Sequence, residues 1–192
     1  MKCMEFLNCN LQRSIDTKKK FLGSAALTKV FCASAEVALT KYKNGGKFYI
    51  FGNGGSAADA QHLATEFVSK LSKDREPLPA EALTTNSSLI TAIGNDYGFK
   101  EIFSRQLKAS AQTNDIALAI STSGNSENII SALKTCQEMK ISSILFSGHD
   151  GGKAKQLADY CILTPSTHTT TIQELHITLA HTLCEYIENK LF

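Results

Sequence analysis

The spacing of hydrophobic positions changes several times along the chain, and each change marks an element. Up to about Asn44 the pattern is helical, with a long apolar-periodic stretch from Phe21 to Tyr42 that stops at Gly45–Gly46. Beyond it, short continuous apolar runs alternate with helical periodicity. Lys47–Gly52 (KFYIFG), Ala80–Thr84 (AEALT), Asp115–Ser121 (DIALAIS), Ser142–Ser147 (SSILFS) and Tyr160–Leu163 (YCIL) read as strands. Ser56–Leu71, the segments through Ala111, Ser126–Met139 and Ile172–Lys190 read as helices. Strands that stay apolar at successive positions and are separated by helices belong to a parallel sheet covered on both faces. The expected fold is α/β: a three-layer αβα sandwich with a five-stranded parallel, doubly wound sheet, right-handed crossovers and an N-terminal helical segment. A single domain is expected over residues 1–192, with helices in 1–45 and the sheet core and closing helix in 46–192.

Composition narrows the function. The hydrophobic fraction of 43% and charged fraction of 20% are ordinary for a globular domain, and the net charge is only +2. Lysines and arginines are scattered except at Lys18–Lys20, which reads as a solvated helix end, so no nucleic-acid partner is implied. The six cysteines form no CxxC pair and mostly sit in apolar stretches, where a free thiol behaves as a small hydrophobe. That favours a reducing compartment. No run is long enough for a signal peptide or a membrane span, so a cytoplasmic location without a membrane partner is expected.

Two loops at strand ends carry candidate chemistry. GNGGSAAD (Gly52–Asp59) follows the first strand and STSGNSEN (Ser121–Asn128) the third. Small residues let backbone N–H groups approach a ligand, and a helix N-terminus favours an anion. Ser121, Thr122, Ser123 and Ser126 add hydroxyl donors for a phosphate. The competing reading is that Ser56 and Ser126 only cap helices, with Ser56 and Asp59 as a capping-box-like pair. Two such loops in one sheet favour the anion site, since ligands of doubly wound sheets gather at the carboxyl ends of strands. Neither loop matches GxGxxG or places a Walker lysine, which disfavours dinucleotides and nucleoside triphosphates. GHDGGK (Gly148–Lys153) reads as a plain connection.

Helical geometry isolates a second polar group. On Ser56–Leu71 the apolar stripe is Ala57, Ala60, Ala64, Phe67, Val68 and Leu71, and His62 and Glu66 lie together one turn apart, away from it. A surface His–Glu pair is the bland alternative. On the closing helix His176 points into the apolar face, as expected of a hydrogen-bonded core histidine, whereas Gln173 and His181 share another side. Two imidazoles, a carboxylate and an amide oxygen suit a divalent ion such as zinc, although Gln is an unusual zinc ligand. Helix geometry alone does not bring the two helices together.

At GNGGSAADAQH, GNDYGF, STSGNS and IQELHITLAH the chain resembles the phosphoheptose isomerases of the sugar-isomerase (SIS) domain group, from about Lys47 onward. The resemblance implies an aldose–ketose isomerase converting D-sedoheptulose 7-phosphate to D-glycero-D-manno-heptose 7-phosphate through an enediol, the first step of bacterial heptose biosynthesis. It implies one zinc per subunit on His62, Glu66, Gln173 and His181, and a homotetramer with shared active sites. Glu66 and His181 would be catalytic; Asn53, Gly54, Gly55, Glu66, Asn95, Asp96, Ser121, Thr122, Ser123, Ser126 and Gln173 would bind substrate. Where family members often carry Asp-Arg, Thr170 and Thr171 precede Ile172 and Gln173, and an arginine of the first catalytic helix appears as Lys70. Two alternatives remain: a non-catalytic SIS-domain regulatory protein, disfavoured by His62, Glu66 and His181, and an isomerase of another sugar phosphate.

Overall fold

The computed structural model describes residues 2–192. Its five strands are β1 (Phe48–Gly52), β2 (Ala80–Ala82), β3 (Ile116–Ser121), β4 (Ser142–Ser147) and β5 (Tyr160–Leu163), all parallel in the order β2-β1-β3-β4-β5. The helices are α1 (Cys3–Leu22), α2 (Ala25–Lys43), α3 (Gly55–Val68), α4 (Ser87–Asp96), α5 (Ser104–Ser110), α6 (Glu127–Met139) and α7 (Thr169–Leu191). The expected αβα sandwich is therefore the fold. Every residue of β1 and β3 is buried, as their unbroken apolar runs require.

Alternation along β1 feeds two separate cores. Phe48 and Ile50 pack under α2, α3 and α7, whereas Tyr49 and Phe51 pack under α4, α5 and α6. Phe48 stacks on Phe67 of α3 with ring centroids 5.1 Å apart. From β1 the chain steps to β2 on one side and then to β3 on the other, so the loops leaving β1 and β3 meet where the strand order reverses.

The helical stretch expected from Phe21 to Tyr42 is broken. Helix α1 ends at Leu22, and Ser24 caps α2 by accepting the Leu27 N–H at 3.4 Å. The axes bend by 78° at this break, and no single helix is long and apolar enough to cross a membrane among the described residues. The apolar stripe expected on α3 also shifts: Ala60, Ala64 and Phe67 are buried with Ser56 and Leu63, but Val68 is 48% exposed and Leu71 lies beyond the helix.

Candidate active site

The two strand-end loops are bonded to each other. Asn53 and Asn128 exchange reciprocal amide hydrogen bonds of 2.9 and 2.8 Å across the reversal point. Gly54, at φ 57° and ψ −122°, turns the chain into α3 in a conformation that side-chain-bearing residues avoid. Ser56 is buried one position inside the helix and Ser126 makes no side-chain capping bond, so the capping reading fails for both. The hydroxyls of Ser121 and Ser123 accept the Gly124 and Asn125 N–H groups, each at 3.2 Å, so their own protons remain to be donated. Ser123 is exposed, Thr122 and Ser126 are half-buried, and Ser121 is buried.

GHDGGK is not a plain connection. Gly124 sits at φ 63° against this turn, and a Cβ there would lie 1.9 Å from the Gly151 carbonyl oxygen. Ala154 donates its N–H to the Gly124 carbonyl at 2.9 Å, and Lys153 donates to Asn125 Oδ1 at 3.1 Å. The turn is a buttress holding the serine loop in shape, and its repeated glycines were the sequence signal for it.

Helices α3 and α7 bring His62, Glu66 and His181 together, with one ligand atom from each lying within 4.8 Å of the others. His62 Nε2 is 3.0 Å from Glu66 Oε1 and 3.4 Å from His181 Nε2, and the two imidazoles meet edge to face. Gln173 stands eight residues before His181, about 12 Å along the axis, with its amide against Gly55: a Cβ at Gly55 would lie 3.0 Å from Gln173 Nε2. Gln173 thus spans from the metal-type helix to the glycine loop. Asp59 stands one turn before His62; burial raises its carboxyl pKa and the charge of His62 opposes the rise.

Several expected positions lie elsewhere. Asn95 and Asp96 are not brought into this cluster; they bond to each other at 2.8 Å on α4, and Asp96 lines a different depression with Glu81, Tyr97 and Arg105. Lys70 falls past the end of α3, exposed and paired with Asp74 at 3.4 Å. The arginine that serves α3 is Arg75, which sequence reading missed. It donates to the carbonyls of Glu66 and Phe67 at 2.9 and 2.7 Å and pairs with Glu188 of α7 at 3.0 Å. Thr170 bonds His168 at 2.9 Å and Thr171 is buried. His176 is buried as expected and its ring lies against the Ser147 backbone, although neither ring nitrogen reaches good hydrogen-bond geometry.

A family model described as the SIS domain matches residues 23–148. The phosphoheptose isomerase of Aneurinibacillus thermoaerophilus is 47% identical over 188 residues, covering 98% of this chain and 95% of that protein. The one from Aquifex aeolicus is 53% identical over 154 residues, covering 80% and 81%. Among solved structures, phosphoheptose isomerase from Neisseria gonorrhoeae superposes with a TM-score of 0.91 at 39% identity, covering 98% of this chain and 100% of that one. The enzyme from Francisella tularensis gives 0.93 at 34% identity, with the same coverage.

Proposed function

The chain belongs to the phosphoheptose isomerases of the SIS-domain family, and from that premise we propose that its substrate is D-sedoheptulose 7-phosphate, bound between the serine loop and the His62–Glu66–His181 cluster. The product is D-glycero-D-manno-heptose 7-phosphate. The observation that carries this reading is the meeting of α3 and α7 at three side chains of a kind that can transfer protons or ligate a metal, on helices that also bring Gln173 against Gly55 of the first glycine loop.

The donor set fits a zinc ion. Tetrahedral bonds of about 2.05 Å place ligand atoms about 3.3 Å apart, close to the 3.4 Å between the two Nε2 atoms and the 3.0 Å from His62 to Glu66. Two imidazole nitrogens facing each other at that distance also favour a cation or proton between them. His62, Glu66 and His181 would hold the ion, with the Gln173 amide as the fourth candidate. When bound, it would polarise the substrate carbonyl as a Lewis acid.

The chain's own groups move the protons. One Glu66 oxygen faces His62; the other is free to take the proton from the carbon next to the carbonyl, giving an enediolate. His181 would shuttle the proton between the two oxygens through Nδ1, since Nε2 is the nitrogen turned to His62 and the ion, and Glu66 would return its own to the neighbouring carbon, which completes the ketose–aldose exchange. The hydroxyls of Ser121, Thr122, Ser123 and Ser126 anchor the phosphate and position the reacting end. Protein purified without chelator is expected to contain about one zinc per chain, and His181→Ala to lose most of it by elemental analysis. A fully active, zinc-free preparation would remove the metal from this reading.

A second copy of the chain would complete the site. Met4, Phe6, Leu7, Leu11, Ile15 and Leu22 of α1 are each 46–74% exposed and most lie on one helical face, an apolar stripe suited to self-association into the family's tetramer. Asn95 and Asp96, exposed and outside the cluster in one chain, would in that assembly serve a neighbour's site. Leu11→Glu is expected to split the assembly in sedimentation experiments; a monomeric wild-type chain at micromolar concentration would refute it. A cytoplasmic setting suits the six unpaired cysteines.

A further inference from the structure

Asn128 lies in the serine-loop motif but has no part in the chemistry above. It is the second residue of α6 and 2% exposed, whereas its partner Asn53 is half-buried. Asn53 Nδ2 donates to Asn128 Oδ1 at 2.9 Å, and Asn128 Nδ2 donates back to Asn53 Oδ1 at 2.8 Å. Asn128 Oδ1 also accepts the Ile129 N–H at 3.0 Å. That N–H belongs to the first turn of α6, where backbone donors have no acceptor within the helix.

These bonds fix which way both amides face. An asparagine amide turned over exchanges its oxygen for its NH2 group, and the torsion that does this is broad and nearly two-fold. A backbone N–H only donates, so the Asn128 atom beside Ile129 must be the oxygen. The Asn53 atom facing that oxygen must then be the nitrogen. The backbone under Asn53 is already held on both sides. A Cβ at Gly52 would lie 2.7 Å from Ser56 Cβ and from the Ser56 carbonyl oxygen, and Gly54 stands at φ 57°. What the backbone leaves open at Asn53 is the turn of its amide, and Asn128 closes it. The second Asn53 N–H is left for a ligand, on the less buried member of the pair, where the strand order reverses.

We propose that Asn128 is a positioning residue for the substrate: it holds the Asn53 amide so that Asn53 offers an N–H, and not an oxygen, to an oxygen of the sugar phosphate in the crevice between the two loops. Released from Asn128, the Asn53 amide would populate both orientations, and one of them sets oxygen against oxygen. An orientation fixed before the ligand arrives spares the ligand the cost of fixing it. The inference rests on the reading of this crevice as the sugar-phosphate site.

Two carboxylate variants separate this role from a plain tie between loops. Asn53→Asp and Asn128→Asp each keep one of the two amide hydrogen bonds, and each add one negative charge at nearly the same place. They differ in what meets the substrate. Asn128→Asp still draws one Asn53 N–H and leaves the other for the ligand, whereas Asn53→Asp has no N–H to offer. In steady-state kinetics with sedoheptulose 7-phosphate on the intact enzyme, Asn53→Asp is expected to show a KM about tenfold above that of Asn128→Asp. Asn128→Leu removes every hydrogen bond of the buried amide and is expected to raise KM about fivefold, with kcat changed less than about twofold. Equal KM values for the two aspartate variants, or a KM for Asn128→Leu within about twofold of the wild type, overturn the positioning role. Ser123→Ala, outside the pair, reports on the site itself. If it raises KM in either of those cases, the substrate site stands and only the role of Asn128 falls. If the wild type does not turn over sedoheptulose 7-phosphate, the reading of the site falls and this inference with it. Should either replacement at Asn128 fail to fold, the other decides the matter alone.

Discussion

Turnover of Glu66→Gln is expected to fall by about 10³-fold, while circular dichroism and particle size stay those of the wild type. The amide keeps the shape of the side chain, which is largely buried at 18% exposure, and can still bond His62. It can neither accept a carbon-bound proton nor bring negative charge. Zinc content measured on the same variant separates the two roles given to this carboxylate. A loaded but inactive variant identifies Glu66 as the base, and an empty one identifies it first as a ligand. Turnover near that of the wild type would remove Glu66 from the mechanism.

The second large effect concerns stability. Arg75 and Glu188 form an ion pair with side chains 2% and 0% exposed, and Glu188 also accepts from Ser72 N–H, Ser72 Oγ and Lys73 N–H at 3.1, 2.6 and 3.2 Å. Removing one partner of such a pair strands the other and costs about 3–5 kcal/mol. Arg75→Met is therefore expected to lower the melting temperature by roughly 10 °C. Acid should act on the same contact. Burial raises the Glu188 pKa, but the hydrogen bonds from Ser72, Lys73 and Arg75 outweigh it and hold the carboxyl down to about 2, against an ordinary 4.5. A depressed folded-state pKa adds stability that is complete above about pH 4.5 and is lost as pH falls toward 2. Urea titrations across that window should show a steeper loss in the wild type than in Glu188→Gln. Equal slopes would mean that the Glu188 proton is not linked to folding.

Arg75 and Glu188 also mark what the sequence hides. They are 113 residues apart, and nothing local distinguishes Glu188 from the exposed acids around it on α7. Only the packing of the loop after α3 onto α7 buries them. The strands, by contrast, were readable because parallel strands covered on both faces must be apolar at every position. The convergence of His62, Glu66 and His181 was half readable: the 3.6-residue period set each on a polar face, but whether the faces met depended on the sheet order. The break at Gly23–Ser24 was missed because the apolar period continues through it, and the capping serine was the overlooked sign. Ser56 and Ser126 are cap-like residues that make no side-chain cap bond, in line with the lesser weight given to capping there. AEALT is shorter as β2 than its apolar run suggests, since Leu83 still donates its N–H to the Ile50 carbonyl at 2.9 Å but a turn closed by Thr85 N–H on the Ala82 carbonyl at 3.3 Å begins there.

The interlock of Gly124 with Gly151, together with the paired amides of Asn53 and Asn128, has a thermodynamic consequence. Three turns are here tied into one rim. A sugar phosphate arriving at this rim meets donors already aimed, so little of its binding energy is spent on freezing the receptor. Insertions that an ordinary surface turn absorbs would, at Gly151 or Gly152, lever the whole rim apart.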